Sequence, residues 1–212
     1  MNFTSADAAT LAEIMRWRRD VRHFRTDPVP DAVIDRLRAA MNAAPSVGNA
    51  RPWRVIRVQD VRLRAAVRAD FERCNAAALA GYAGDQADAY ARLKLAGLDA
   101  APVQLAVFTA TDPVEGHGLG RQTMSETLRQ STAMAVFALW LAARAENVGL
   151  GMISILEPRH MEQLFCPESD HSSQPWEFAA YLCLGYPADD DDTPLLHRVG
   201  WQRNQPTPWE TH

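Results

Sequence analysis

Between Ala133 and Ala143 the chain reads AMAVFALWLAA, the centre of a longer helical stretch from about Ser125 to Glu146. A helix that is apolar nearly all round belongs inside a protein, so this segment is expected to be the central core helix of a domain. The run is well short of the ~20 residues that a membrane span requires. Asn147 and Gly149 are expected to end the helix through a left-handed cap. With 212 residues and 47% hydrophobic content, the chain has room for one well-buried core, and residues 1–212 are expected to form a single domain.

The other elements follow from periodicity and punctuation. Ala9, Leu11, Ala12, Ile14 and Met15 recur at helical spacing from Ser5, the expected N-cap, to about Trp17. DAVIDRLRAAMNAA presents Val33, Ile34, Leu37, Ala40 and Met41 on one face of a second helix. The constrained loop APSVGNARPW leads into RVIRVQD, which alternates like a strand. Residues 61–97 are Ala-rich and charge-dotted, and breaks near Gly81 and Gly84 predict two helices forming an arm or lid. VQLAVFTA (Val103 to Ala110), GMISILEP and EFAAYLCLGYP read as strands, with a small helix near His160. This order lacks the regular alternation of a doubly wound nucleotide fold, so the expected class is an α+β sandwich with a helix-rich half. The DDDD run at Asp189 to Asp192 reads as a solvated loop.

Charge and cysteine usage restrict the partners. A net charge of −4 and an isoelectric point near 5.9 disfavour a nucleic-acid binder, which must neutralise many phosphates. The 3 cysteines are dispersed and odd in number, as expected of reduced thiols in a cytoplasmic protein. No basic region followed by an apolar run opens the chain, so no secretory signal is expected. The 6 histidines are scattered, and neither a Gly-x-Ser-x-Gly elbow nor His-Glu-x-x-His occurs, so no hydrolase triad or metal site is expected.

Four stretches carry groups suited to chemistry. RRDVRHF gathers Arg18, Arg19 and Arg22 around Asp20. Guanidinium forks match phosphate oxygens, although a solvated helix end accounts for the same pattern. APSVGNARPW places Ser46, Gly48 and Asn49 in a loop that either approaches a ligand or simply turns from helix to strand. GHGLGRQT lacks the Gly-Lys-Ser/Thr of a phosphate loop but presents Arg121. VGLGMISI sets two glycines ahead of Ser154 at a strand edge, where a flat heterocycle fits as readily as a plain core strand.

Taken together, these stretches resemble the nitroreductase-fold flavoproteins over nearly the whole chain. RRDVR, APSVG, KLAGLDAAP, LGRQT, LWLAARAENVGLGMISI and LCLGY are most similar to the 5,6-dimethylbenzimidazole synthase (BluB) family. The resemblance implies a mainly antiparallel sheet flanked by helices, and a homodimer with FMN at the subunit interface. It implies a reaction in which reduced FMN and O2 yield 5,6-dimethylbenzimidazole, the lower ligand of vitamin B12, with a separate NAD(P)H-dependent flavin reductase supplying the reduced flavin and no metal. Carried over by position, Arg18, Arg19, Asp20, Val21 and Arg22 would hold the flavin, the arginines toward its phosphate and ribityl region. Ser46, Gly48 and Leu98 would line the site, Arg203 would reach it from the tail, and Asp20 and Ser154 would serve the chemistry. Asp20 stands where ordinary nitroreductases commonly carry serine. Arg51 replaces a glutamine common in the superfamily, and Gln130 stands where the synthases have an aromatic residue. An NAD(P)H-dependent FMN oxidoreductase acting on nitro compounds, quinones or free flavin is the alternative, and a flavin-binding protein without catalysis is the third reading.

Overall fold

The structure, a computed structural model, describes residues 1–93, 97–166 and 175–211. Helix α1 (Ser5–Trp17) is followed by α2 (Asp31–Asn42), strand β1 (Trp53–Arg57), α3 (Val61–Leu79) and α4 (Gly84–Ala91). Then come β2 (Val103–Ala110), α5 (Thr127–Ala145), β3 (Gly149–Ile153), α6 (Pro158–Phe165), β4 (Trp176–Gly185) and the short α7 (Leu195–Arg198). The strands form one four-stranded sheet in the order β1-β2-β4-β3, and each neighbouring pair is antiparallel. The expected α+β class with a mainly antiparallel sheet is what the chain forms.

Both faces of the sheet are covered, which is why β2 reads as an unbroken apolar run and is buried at every position. Leu105, Val107, Leu150, Leu182 and Leu184 face α2 and α5. Ala106, Phe108, Ile153, Tyr181 and Cys183 belong to a second core with residues of α3 and α6. Burying one such Leu or Phe side chain contributes about 1.5–3 kcal/mol. Within the second core, Tyr181 donates to Gln104 Oε1 at 2.8 Å, and Gln104 Nε2 donates to the Leu98 carbonyl at 2.8 Å. Burial pushes the Tyr181 phenol pKa far upward.

Several local expectations are corrected. Thr4, not Ser5, caps α1, because Thr4 and Asp7 form a reciprocal capping box. β1 is shorter than its motif, since Asp60 leaves the strand to cap α3. Asn147, at φ +57°, supplies the left-handed residue after α5, whereas Gly149 already belongs to β3. Helix α5 is not enclosed all round: Ala135, Val136 and Leu139 are buried, but Met134 and Phe137 are 41% and 45% exposed. The acidic run is not merely solvated. Asp190 pairs with Arg144 at 3.1 Å, Asp191 with Arg198 at 3.0 Å, Asp189 with His23 at 3.0 Å, and Asp192 with Arg16. Helix α3 of the arm packs on the core: Val67 is fully buried, and Arg64 donates to the Val58 and Pro102 carbonyls at 2.8 and 3.1 Å. Residues 94–96 of KLAGLDAAP lie outside the described residues.

Candidate active site

After α1 the chain turns along the free edge of β3. Asp20 bridges Leu150 in parallel sense, and Val21 N–H donates to the Leu150 carbonyl at 3.0 Å. Gly151 makes this approach possible: a Cβ there would fall 2.1 Å from the Val21 carbonyl oxygen. Asp20 is thereby pinned at both oxygens. Its Oδ1 accepts from Met152 N–H at 2.9 Å and its Oδ2 accepts from Arg22 Nε at 3.0 Å. Ser154 follows β3 directly and is exposed. Below this edge Cys183 faces Gly151 in register; burial pushes its thiol up to about 12, with Arg64 opposing and Asp20 adding to the rise. A thiol held that high is a poor nucleophile at physiological pH.

An open groove of about 540 Å³ adjoins this edge, lined by Val136, Phe137 and Trp140 of α5, Met152 of β3 and Phe178 and Ala180 of β4, among others. Arg18 lies over the rings of Trp140 and Phe137, with its guanidinium carbon 4.8 and 5.9 Å from their centroids. The structure thus gathers Arg18, Asp20, Val21, Arg22 and Ser154 along one strand edge beside a largely apolar groove of a volume suited to a small ligand. Arg19 turns away: it donates to the Asp192 carbonyl through Nε at 2.6 Å, and to the Arg18 carbonyl at 2.6 Å.

The other candidate residues lie elsewhere. Ser46 Oγ accepts from Arg51 N–H at 3.0 Å, and Val47 N–H donates to Ser131 Oγ at 3.0 Å, near the start of α5. Gly48, at φ +56°, packs on the Gly116 backbone, where a Cβ would meet the Gly116 carbonyl oxygen at 2.9 Å. Ser131 and Trp140 are nine residues apart on α5, about 13 Å along the helix. β1 and β3 are opposite edges of the sheet, three strand spacings or roughly 14 Å apart. Ser46 and Gly48 are therefore not brought to the Asp20 edge within one chain. Leu98 is closer to it: it packs in the second core, and the adjacent Gly97 lies against the Phe24 ring and the Arg22 carbonyl. Arg203 is exposed beyond Trp201, which docks against Tyr82 of the arm with ring centroids 5.7 Å apart. Arg121 pairs with Asp112 at 2.5 Å and does not present a free guanidinium to an anion.

Sequence reasoning missed Met152, Phe137 and Trp140. Their apolar character read as core, and a residue's place on a groove wall depends on which helix lies opposite. Trp140 carried one usable signal, an indole N–H that must find an acceptor when buried; it donates to the Arg19 carbonyl at 3.2 Å.

Comparison with known proteins agrees with this architecture. Residues 15–186 match the nitroreductase family. A 5,6-dimethylbenzimidazole synthase from Rhodobacter capsulatus is 62% identical over 210 residues, covering 99% of both chains. One from Rhodospirillum rubrum is 48% identical over 198 residues, covering 93% of this chain and 92% of its own. Among solved structures, an iodotyrosine deiodinase bound to FMN and 3-iodo-L-tyrosine superposes with a TM-score of 0.71 at 22% identity, covering 95% of this chain and 97% of the other. A BluB-like flavoprotein from Clostridium difficile 630 gives 0.64 at 19% identity, covering 95% and 94%. These two likenesses show the fold. The chain belongs to the nitroreductase family. Within it, the chain belongs with the 5,6-dimethylbenzimidazole synthases, to which it is similar from end to end.

Proposed function

We propose that the protein is a 5,6-dimethylbenzimidazole synthase acting on reduced FMN and O2. The observation that carries this reading is the end-to-end likeness to synthases at 62% identity, reinforced locally by Asp20 pinned on the groove edge. The donor set fits FMN. Arg18 and Arg22 offer guanidinium forks for its phosphate and ribityl region, and the groove has aromatic and aliphatic walls for a flat ring. Reduced FMN supplies both the oxygen reactivity and the carbon skeleton of the product.

The protein's own groups hold and move protons. Asp20 has each oxygen oriented by a hydrogen bond and retains lone pairs beyond those two, so a proton can pass to or from Oδ1 or Oδ2 without the carboxylate turning. The Ser154 hydroxyl, exposed on the same edge, would donate to a flavin nitrogen or carbonyl. Arg19 acts one step back, tying the Arg18–Arg22 run to the strap at Asp192.

A second copy of the chain completes the site. Two observations support that assembly: Ser46 and Gly48 lie at the far edge of the sheet from Asp20, and α5 leaves Met134 and Phe137 uncovered. In the homodimer, Ser46 and Gly48 of one copy approach the Asp20 edge of the other, and Arg203 reaches the phosphate from the tail. Reduced FMN comes from a separate NAD(P)H-dependent flavin reductase, and the reaction takes place in the cytoplasm without a metal.

The decisive test mixes purified protein with chemically reduced FMN under anaerobic conditions, admits O2 and resolves the products by chromatography and mass spectrometry. Appearance of 5,6-dimethylbenzimidazole with loss of FMN is the expected result. Quantitative recovery of oxidised FMN would overturn the reading in favour of a flavin oxidoreductase.

A further inference from the structure

One buried charge takes no part in the chemistry proposed above. Asp70, on α3 of the arm, is 2% exposed, and a carboxylate out of water is costly unless its oxygens are matched. Its Oδ1 meets Arg73 at 2.5 Å and His160 Nδ1 at 2.9 Å, and its Oδ2 accepts from Glu157 N–H at 2.8 Å with Cys74 Sγ at 3.8 Å. Burial alone would raise its pKa, but these partners hold it below the ordinary carboxylate value.

Two of those partners belong to the start of α6. Glu157 is the residue at its N-cap, no side chain of the helix's own caps it, and Pro158 brings no N–H to the first turn. Asp70 therefore provides, from a different element, the acceptor for the N-cap N–H that an N3 Glu or Gln supplies in a capping box, and places a negative charge at the helix N-terminus. Ser154 stands three residues before Glu157. The intervening turn is held at one end by the pairing of β3 with β4 and at the other by Asp70, while Leu156 is buried between them.

We propose that Asp70 is a positioning residue for Ser154, fixing the turn between β3 and α6 from the arm. The position of α3 and that of the Ser154 hydroxyl are then coupled, so a shift of the arm re-aims a group at the reacting edge. This rests on the reading of Ser154 as a group that faces the flavin.

Two measurements on Asp70→Ala test it, with Asp70→Asn as the conservative control that keeps an acceptor for Glu157 N–H. In the flavin-free protein, Asp70→Ala is expected to speed amide hydrogen exchange across residues 155–160 at least tenfold, with β2 unchanged and Asp70→Asn restoring most of the protection. Unchanged exchange would overturn the proposal whatever reaction the protein catalyses. With reduced FMN and O2, Asp70→Ala is expected to slow product formation about tenfold while FMN affinity stays within about threefold. It is expected to add nothing further in a Ser154→Gly background, since residues acting through one another are non-additive. Multiplying losses would overturn it, because Asp70 would then act by another route. If the wild-type protein makes no product, the proposed function fails, and the exchange measurement alone decides the coupling. Should Asp70→Ala fail to fold, Glu157→Pro removes the same hydrogen bond from the other side. It must show the same faster exchange, and wild-type protection in that variant would overturn the proposal.

Discussion

At the scale of single residues, the proposed chemistry turns on Asp20. Asparagine in its place can still accept from Met152 N–H, so Asp20→Asn is expected to retain FMN while product formation falls by about 100-fold, as expected for loss of a proton-transfer group. Product yield equal to wild type in that variant removes Asp20 from the mechanism. Gly151 is a second sensitive position. Alanine there meets the Val21 carbonyl at 2.1 Å, which must push the arginine segment off β3 at a cost of about 1–3 kcal/mol; thermal melts and FMN titration of Gly151→Ala read both losses. Asp70 makes stability depend on pH. Its carboxylate sits below the ordinary 3.8 in the folded protein, so its contribution is complete above that value and disappears as pH falls through the folded pKa. Relative to Asp70→Asn, wild type is expected to be more stable by about 2 kcal/mol at pH 7 in urea unfolding, and to lose that advantage only as pH falls below 3.8 and through the lower folded pKa. The roles of the arginines were legible only in part. RRDVR reads as a candidate anion site, but nothing in the run distinguishes Arg18, stacked on Trp140, from Arg19, tied to Asp192.

Among elements, the strands and helices with strong periodicity were readable and their surroundings were not. β2 occupies the span of its apolar run because both its faces are covered. The glycine breaks near Gly81 and Gly84 separate α3 from α4 as expected. α5 shows where the reasoning stops: an all-apolar helix demands cover, yet whether its own chain or another supplies that cover is not a local property. Met134 and Phe137 remain uncovered, and a charge at that face is expected to block association. Phe137→Glu is therefore expected to sediment as a monomer and to bind FMN at least tenfold more weakly, and a dimer of unchanged affinity would show that another face associates. The acidic run Asp189 to Asp192 reads as solvated for a related reason. Its partners Arg16, Arg144 and Arg198 come from three helices that only the fold brings together, and each exposed pair adds no more than ~1 kcal/mol.

For the whole molecule, the antiparallel order β1-β2-β4-β3 sets the Ser46 loop and the Asp20 edge on opposite sides. If the site lies between two copies, chains carrying Asp20→Asn and chains blocked by Ser46→Trp, each inactive alone, are expected to regain activity when coexpressed. Half the sites of a mixed dimer then hold neither change. No recovery would place each site within one chain. The α+β class, the main elements and the family follow from the chain alone, because apolar periodicity, breakers and contiguous motifs act over short distances along it. Tertiary structure alone decided which arginine faces the groove, that Asp70 braces the turn after Ser154, and that the flavin-site candidates divide between two edges. Those relations join residues from 84 to 173 positions apart in the chain, and they exist only once the sheet has fixed which edges meet.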